Sequence, residues 1–209
     1  MNFYTDGLTA PQLEVLKILG SVISPRHFYL GGGTALAIFL RHRRSLDLDW
    51  FTQERFLDPM SFAQELRDSN ISFQTDQTAP GTLHGRVEGV HVSFLEFRYP
   101  LLSPLVHWDE IGVHLASLDD LACMKLSAIA QRGSKKDFYD VFTLCQVHRP
   151  LKQMLELYIK KFSVSDIGPV LYGLVYFDDA DVERDPLLLQ DIQWTGVKQA
   201  FQDWVKTIR

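Results

Sequence analysis

The sequence has little of what marks an exported, membrane-spanning or metal-stapled protein. It holds only two cysteines, Cys123 and Cys145, outside any CxxC spacing, so neither a disulfide framework nor a zinc site is expected. No apolar run approaches the roughly 20 residues that cross a bilayer. The opening MNFYTDGLTA lacks the basic and then apolar order of a leader, and a cytoplasmic location is the expectation. There is no internal repeat and no low-complexity tract. Positive charge is not in excess either. A net charge of -5 and a pI near 5.8 give no global attraction for nucleic acid, so any RNA contact needs a local patch. Residues 41–44, Arg-His-Arg-Arg, are the candidate patch, and the acidic stretch 178–185 is expected to be a solvated loop.

What is present suits a globular fold. Hydrophobic content of 46% over 209 residues is enough for a sizeable core. Pro11 and the apolar spacing after it predict a first helix that ends at Ser24-Pro25. Phe28, Tyr29 and Leu30 then form a short strand running into Gly31, Gly32 and Gly33, after which residues 35–40 favour a second helix. Residues 46–51 alternate as a strand, which puts Asp47 and Asp49 on one face. A helix is expected over residues 59–66, and two or three antiparallel strands between 71 and 97. From a capping box at Ser117-x-x-Asp120 onward, helical periods recur to the C-terminus. The fold class is therefore α+β, with an α/β core over residues 1–115 and a helical region over residues 116–209.

Chemistry concentrates at two places. Three glycines before a helix can present backbone amides to a phosphate, because the first turn has unpaired N–H groups at the positive end of the dipole. The same glycines also suit an ordinary tight turn. Two aspartates at i and i+2 of a buried strand can share a hard cation whose remaining positions go to phosphate oxygens. Downstream, Lys125, Arg132, Lys135, Lys136, Asp137 and Asp140 gather charge, while Glu96 is a third carboxylate that fits either a metal ligand or an edge residue reaching water. His42 fits either a phosphate contact or a helix C-terminal histidine.

The run GGGTALAIFLRHRRSLDLDWF, residues 31–51, resembles the AbiEii/AbiGii-type toxin group of the nucleotidyltransferase superfamily, with its GG[TS]AL and HR-x-S-x-D-x-D pattern. KLSAIAQRGSKKDFYDVF, residues 125–142, resembles the later lysine, arginine and KD-x-x-D motif of that group, and YFDDADVERDP resembles its tail. The resemblance implies a small mixed sheet with flanking helices, closed over a nucleotide cleft by the helical region. It implies transfer of a nucleoside monophosphate from an NTP to an RNA (tRNA) or protein acceptor, with Mg2+ or Mn2+, by the toxin of a toxin-antitoxin or abortive-infection pair that has a cognate antitoxin. Carried across, Gly32, Gly33, Thr34, Ser45, Arg132, Lys136 and Asp140 bind the nucleotide. Asp47, Asp49 and Glu96 hold the metal, and Asp47, Asp49, Lys125 and Asp137 are catalytic. Asp137 either orients Lys125 or activates the acceptor hydroxyl. An inactive nucleotide-binding module and a phosphotransferase working at Lys136-Asp137 are the alternatives.

Overall fold

Reciprocal bonds between Thr9 and Gln12, with Pro11 in the first turn, start the first helix, α1 (Ala10–Ile23). The computed structural model describes residues 2–208. A 3-10 turn (Ser24–Arg26) leads to β1 (Tyr29–Leu30), and the glycines open α2 (Gly32–Leu40). Then come β2 (Leu48–Thr52) and α3 (Pro59–Asp68), the latter capped by Asp58. A meander follows of β3 (Phe73–Ala79), β4 (Thr82–Val87) and β5 (Val90–Glu96), turning at Gly81 and Gly89, both with positive φ. A short hairpin of β6 (Val106–Trp108) and β7 (Val113–Leu115) precedes the helical half. That half comprises α4 (Leu118–Gln131), α5 (Lys135–Val147), α6 (Leu151–Phe162), α7 (Gly168–Gly173), α8 (Asp178–Asp181) and α9 (Trp194–Lys206). Among the described residues no helix is long and apolar enough to cross a membrane.

The strands form one mixed sheet in the order β3-β4-β5-β2-β1-β7-β6. β2 runs parallel to β5 and β1 parallel to β7, and the other neighbours are antiparallel. Period-two alternation divides the faces. Leu48, Trp50 and Thr52 are register partners of Val92, Phe94 and Glu96, on the face that α1 and α3 cover. There Phe94 meets Phe62 edge-on at 4.9 Å and Phe28 at 5.3 Å. The opposite face presents Asp49, Phe51, Ser93 and Leu95, beside α2 and α4.

Several expectations are corrected. The second strand starts at Leu48, so Asp47 stands just before it. Ser117 caps α4 by accepting the Asp120 N–H, but the Asp120 carboxylate instead takes the Leu102 and Ser103 N–H groups and Lys161 Nζ, the last at 2.7 Å. The acidic stretch is not a free loop. Asp178–Asp181 is helical, and Glu183 accepts the Ser134 hydroxyl and the Lys135 N–H, each at 2.8 Å, over the start of α5. The basic run over residues 41–44 is not a continuous patch, because His42 and Arg43 are buried while Arg41 and Arg44 face solvent.

Candidate active site

The glycine turn is tight at all three positions. A Cβ on Gly31 would lie 2.6 Å from the Phe51 ring, one on Gly32 would lie 2.6 Å from Asp49 Oδ2, and one on Gly33 would lie 2.4 Å from Arg43 Nη2. Gly32 also has φ +62, which other residues adopt only with strain. The first turn of α2 is thereby held directly against the Asp49 carboxylate. Thr34 reinforces the contact, its hydroxyl donating to the Asp47 carbonyl, and the Gly31 N–H donates to the Asp49 carbonyl at 2.9 Å.

These groups form one side of a cavity of about 570 Å³. Gly32, Gly33, Ser45, Asp47 and Asp49 face Lys125, Arg132 and Lys136 across it, and Phe51, Leu95, Phe97 and Met124 supply an apolar wall. Asp49 is half-buried, Asp47 exposed. Burial, with the Asp47 charge added, raises the Asp49 pKa; Lys125, the neighbouring Ser93 hydroxyl and Lys136 act against the rise. Among the described residues, neither aspartate has an ion-pair partner. Two unpaired carboxylates beside a helix N-terminus suit a hard divalent cation that completes its shell with phosphate oxygens. Among the described residues no cluster of three or more His, Cys, Asp or Glu could hold a metal, so the protein's share would be these two.

Beneath the cavity floor lies a buried ionic lattice. Lys125 Nζ is 2.7 Å from Asp137 Oδ1 and 2.7 Å from Asp140 Oδ2. Asp137 also accepts Arg132 Nε at 2.9 Å, and Asp140 also accepts His42 Nε2 at 2.7 Å. Burial pushes the Asp140 carboxyl up, but the Arg43 and Lys125 charges and the bonds from His42 and Arg43 outweigh it and hold the group well below the usual range. Asp137 is lowered for the same kind of reason, with burial opposed by Lys125 and Arg132.

Of the residues expected at the site, Gly32, Gly33, Ser45, Asp47, Asp49, Lys125, Arg132 and Lys136 line the cavity. Thr34, Asp137 and Asp140 are buried and stand outside the lining. Glu96 is on the other face of the sheet from Asp49; it accepts the Phe56 N–H at 2.8 Å and lines a separate cavity of about 380 Å³. Sequence reasoning did not single out Arg43, His84 or Ser93, which also line the main cavity. Arg43 was visible as the arginine of the HR-x-S-x-D-x-D pattern and as one of four basic positions, and no role was expected for either strand residue.

Comparison with known proteins gives the family and the fold. The model of the nucleotidyl transferase AbiEii toxin family, type IV toxin-antitoxin system, matches residues 89–206, more than half of the chain. An uncharacterized protein of Aquifex aeolicus, aq_aa25, is 38% identical over 203 residues, covering 95% of this chain and 96% of that protein. In fold, the chain is similar to MenT4, a nucleotidyltransferase toxin from Mycobacterium tuberculosis, with a TM-score of 0.61 at 14% identity over 96% of this chain and 85% of that one. It is also similar to JHP933 from Helicobacter pylori, with a TM-score of 0.57 at 16% identity over 99% and 93% of the two chains. The mixed sheet with its glycine turn and paired aspartates thus sits in a chain that belongs to the AbiEii nucleotidyl transferase toxin family, and the protein is a nucleotidyltransferase of that toxin class.

Proposed function

We propose that the protein transfers a nucleoside monophosphate from an NTP to a hydroxyl of RNA, releasing pyrophosphate, with magnesium or manganese held by Asp47 and Asp49. One observation carries the reading: the α2 amides, the paired aspartates and three cationic side chains converge on a single cavity. In this assignment the first turn of α2, with Gly32, Gly33 and the Ser45 hydroxyl, holds the β- and γ-phosphates. Lys125, Arg132 and Lys136 contact phosphate oxygens whose charge grows during displacement. Asp137 and Asp140 are positioning residues that keep Lys125, Arg132 and Arg43 aimed. The cation, when bound, neutralises phosphate charge and orients the α-phosphoryl group for in-line attack. Residues 1–115 thus supply the carboxylates and residues 116–209 the cations, with the substrate between them.

RNA is favoured over a protein acceptor because Arg132 and Lys136 are exposed as well as lining the cavity, so the same two cations that meet the NTP suit the phosphates of an acceptor strand beside it. Such substrates also fit a cytoplasmic setting, and the type IV family description implies a cognate antitoxin. The deciding experiment incubates the protein with magnesium, total RNA, cell protein and NTPs labelled at either the α or the γ position. Label from the α position on RNA supports the reading. Label on protein moves the acceptor, γ label alone makes the enzyme a phosphotransferase, and nucleotide binding without any transfer makes it a binding module.

A further inference from the structure

The open face of the sheet carries a row of three polar side chains, two of which, Ser93 and His84, the roles above leave unused. Asp49 on β2 is the register partner of Ser93 on β5, and Ser93 is the partner of His84 on β4. All three line the cavity. His84 Nδ1 lies 3.0 Å from Ser93 Oγ, and Ser93 stands beside Asp49 as its register partner on the same face.

The Ser93 hydroxyl has one proton and stands between His84 and the Asp49 carboxylate. Turned toward that carboxylate, the Ser93 oxygen accepts from His84 Nδ1–H. A neutral imidazole protonated at Nδ1 carries its lone pair on Nε2. The hydrogen bond that this ring makes among the described residues is the one through Nδ1, and the side chain is half-buried, so Nε2 remains open to the cleft.

Sheet order supplies the second argument. The strands run β4, β5, β2, β1, and β1 leads into the amide-bearing turn of α2. The turn that would hold the leaving pyrophosphate therefore flanks Asp49 on one side, and His84 stands two strands away on the other. Two strand spacings are about 10 Å, enough for an α-phosphoryl group and an incoming hydroxyl. In-line displacement needs the entering and leaving oxygens on opposite sides of phosphorus. No carboxylate competes as the proton acceptor, because Asp47 and Asp49 are assigned to the cation, Asp137 and Asp140 are ion-paired, and Glu96 is on the other face.

Resting on the transfer reading above, we propose that His84, oriented by Ser93, accepts the proton of the attacking hydroxyl. As the new O–Pα bond forms, the hydroxyl proton passes to His84 Nε2. The bond between the α-phosphorus and the bridging oxygen breaks, and pyrophosphate leaves with the electron pair.

Three variants and one spectrum test this. His84→Asn keeps an N–H near the Nδ1 position but has no base at Nε2, His84→Ala empties the site, and Ser93→Ala removes the orienting hydroxyl. With α-labelled NTP and total RNA, kcat in both His84 variants should fall about 10²- to 10⁴-fold, while the stabilisation by magnesium and NTP is retained. Added imidazole should restore part of the loss in His84→Ala, and Ser93→Ala should lose less. Turnover within threefold of wild type in His84→Asn overturns the proposal, as does loss of nucleotide binding in both His84 variants or a failure of imidazole to rescue. Nitrogen-15 spectra of the resting protein give a readout independent of activity. A neutral His84 protonated at Nδ1 supports the row, and one protonated at Nε2 overturns it. If the wild-type protein transfers nothing, the transfer reading fails, and the spectrum alone decides whether His84 is arranged as inferred.

Discussion

Arg43 grips Asp140 with two parallel hydrogen bonds, Nε to Oδ1 at 2.6 Å and Nη2 to Oδ2 at 2.8 Å, although 97 positions separate them along the chain. Both side chains are almost wholly buried. A fork-on-carboxylate pair of this kind fixes orientation as well as distance. It ties the loop before the DxD aspartates to the helix that carries the later motif. The pair therefore joins the two sides of the cleft directly.

Asp140→Asn should accordingly destabilise the protein by about 3 to 5 kcal/mol, because Arg43 then remains buried without its carboxylate partner while Lys125 keeps only Asp137. Urea unfolding measures the loss. A change below about 1 kcal/mol would show that the pair is peripheral to stability.

Acid should act on the same lattice. Asp137 and Asp140 have folded-state pKa values below their ordinary ones, so their contribution is complete above the unfolded carboxylate range and is lost as pH falls through the lower folded values. Stability is expected to be flat from neutrality to about pH 5 and to fall steeply below about pH 4. Asp49 acts in the opposite sense, since its raised value makes the metal-free protein gain stability as it protonates. A denaturation series across pH, run for wild type and Asp140→Asn, should show the acid limb shrinking in the variant.

The double variant Asp47→Asn with Asp49→Asn should abolish transfer while leaving the metal-free thermal transition unchanged or raised, because the neighbouring like charges are gone. Full activity in that variant would remove the metal assignment.

Magnesium and NTP together should raise the melting temperature by more than the sum of their separate shifts, since phosphate oxygens complete the shell that two carboxylates leave open. Merely additive shifts would argue for two independent sites.

Lys125→Ala should weaken both NTP binding and turnover, by roughly 1.5 to 3 kcal/mol for the lost charge-assisted contact. Asp137→Ala should mainly lower turnover, because Lys125 and Arg132 keep their charge but lose their aim. Both variants need a melting curve first, and unchanged kinetics in two folded variants would confine the chemistry to the sheet.

Much of this arrangement is legible in the amino-acid sequence. The glycine turn, the second helix and the two aspartates follow from local signals, because turn chemistry and period-two alternation act over a few residues. Ser117 as a cap and Gly133 as a stop are equally local. What cannot be read there is whatever depends on register between distant strands. Glu96 and Ser93 differ by three positions on one strand, so they face opposite sides of the sheet, and only the pairing with β2 tells which side is the cleft. His84 is invisible for the same reason. The β6 and β7 strands have three residues each, too few for alternation to emerge. Arg43 reads as surface charge because nothing local announces a buried partner 97 positions away.

The segment around Leu187–Gln190 also touches this loop: Arg44 N–H bonds the Leu187 carbonyl at 2.7 Å, Leu189 N–H bonds the His42 carbonyl at 2.8 Å, and the Gln190 amide reaches the Leu40 carbonyl 150 positions away. During synthesis, the loop that aims Arg43 and leads to Asp47 stays without this strap until those 150 residues have been added. At about 5 to 20 residues per second, that is an interval of roughly 8 to 30 s. A ribosome-bound chain stalled before residue 187 lacks the strap altogether. The order in which the polypeptide emerges thus delays a fully braced toxin site until residues 187–190 have been made.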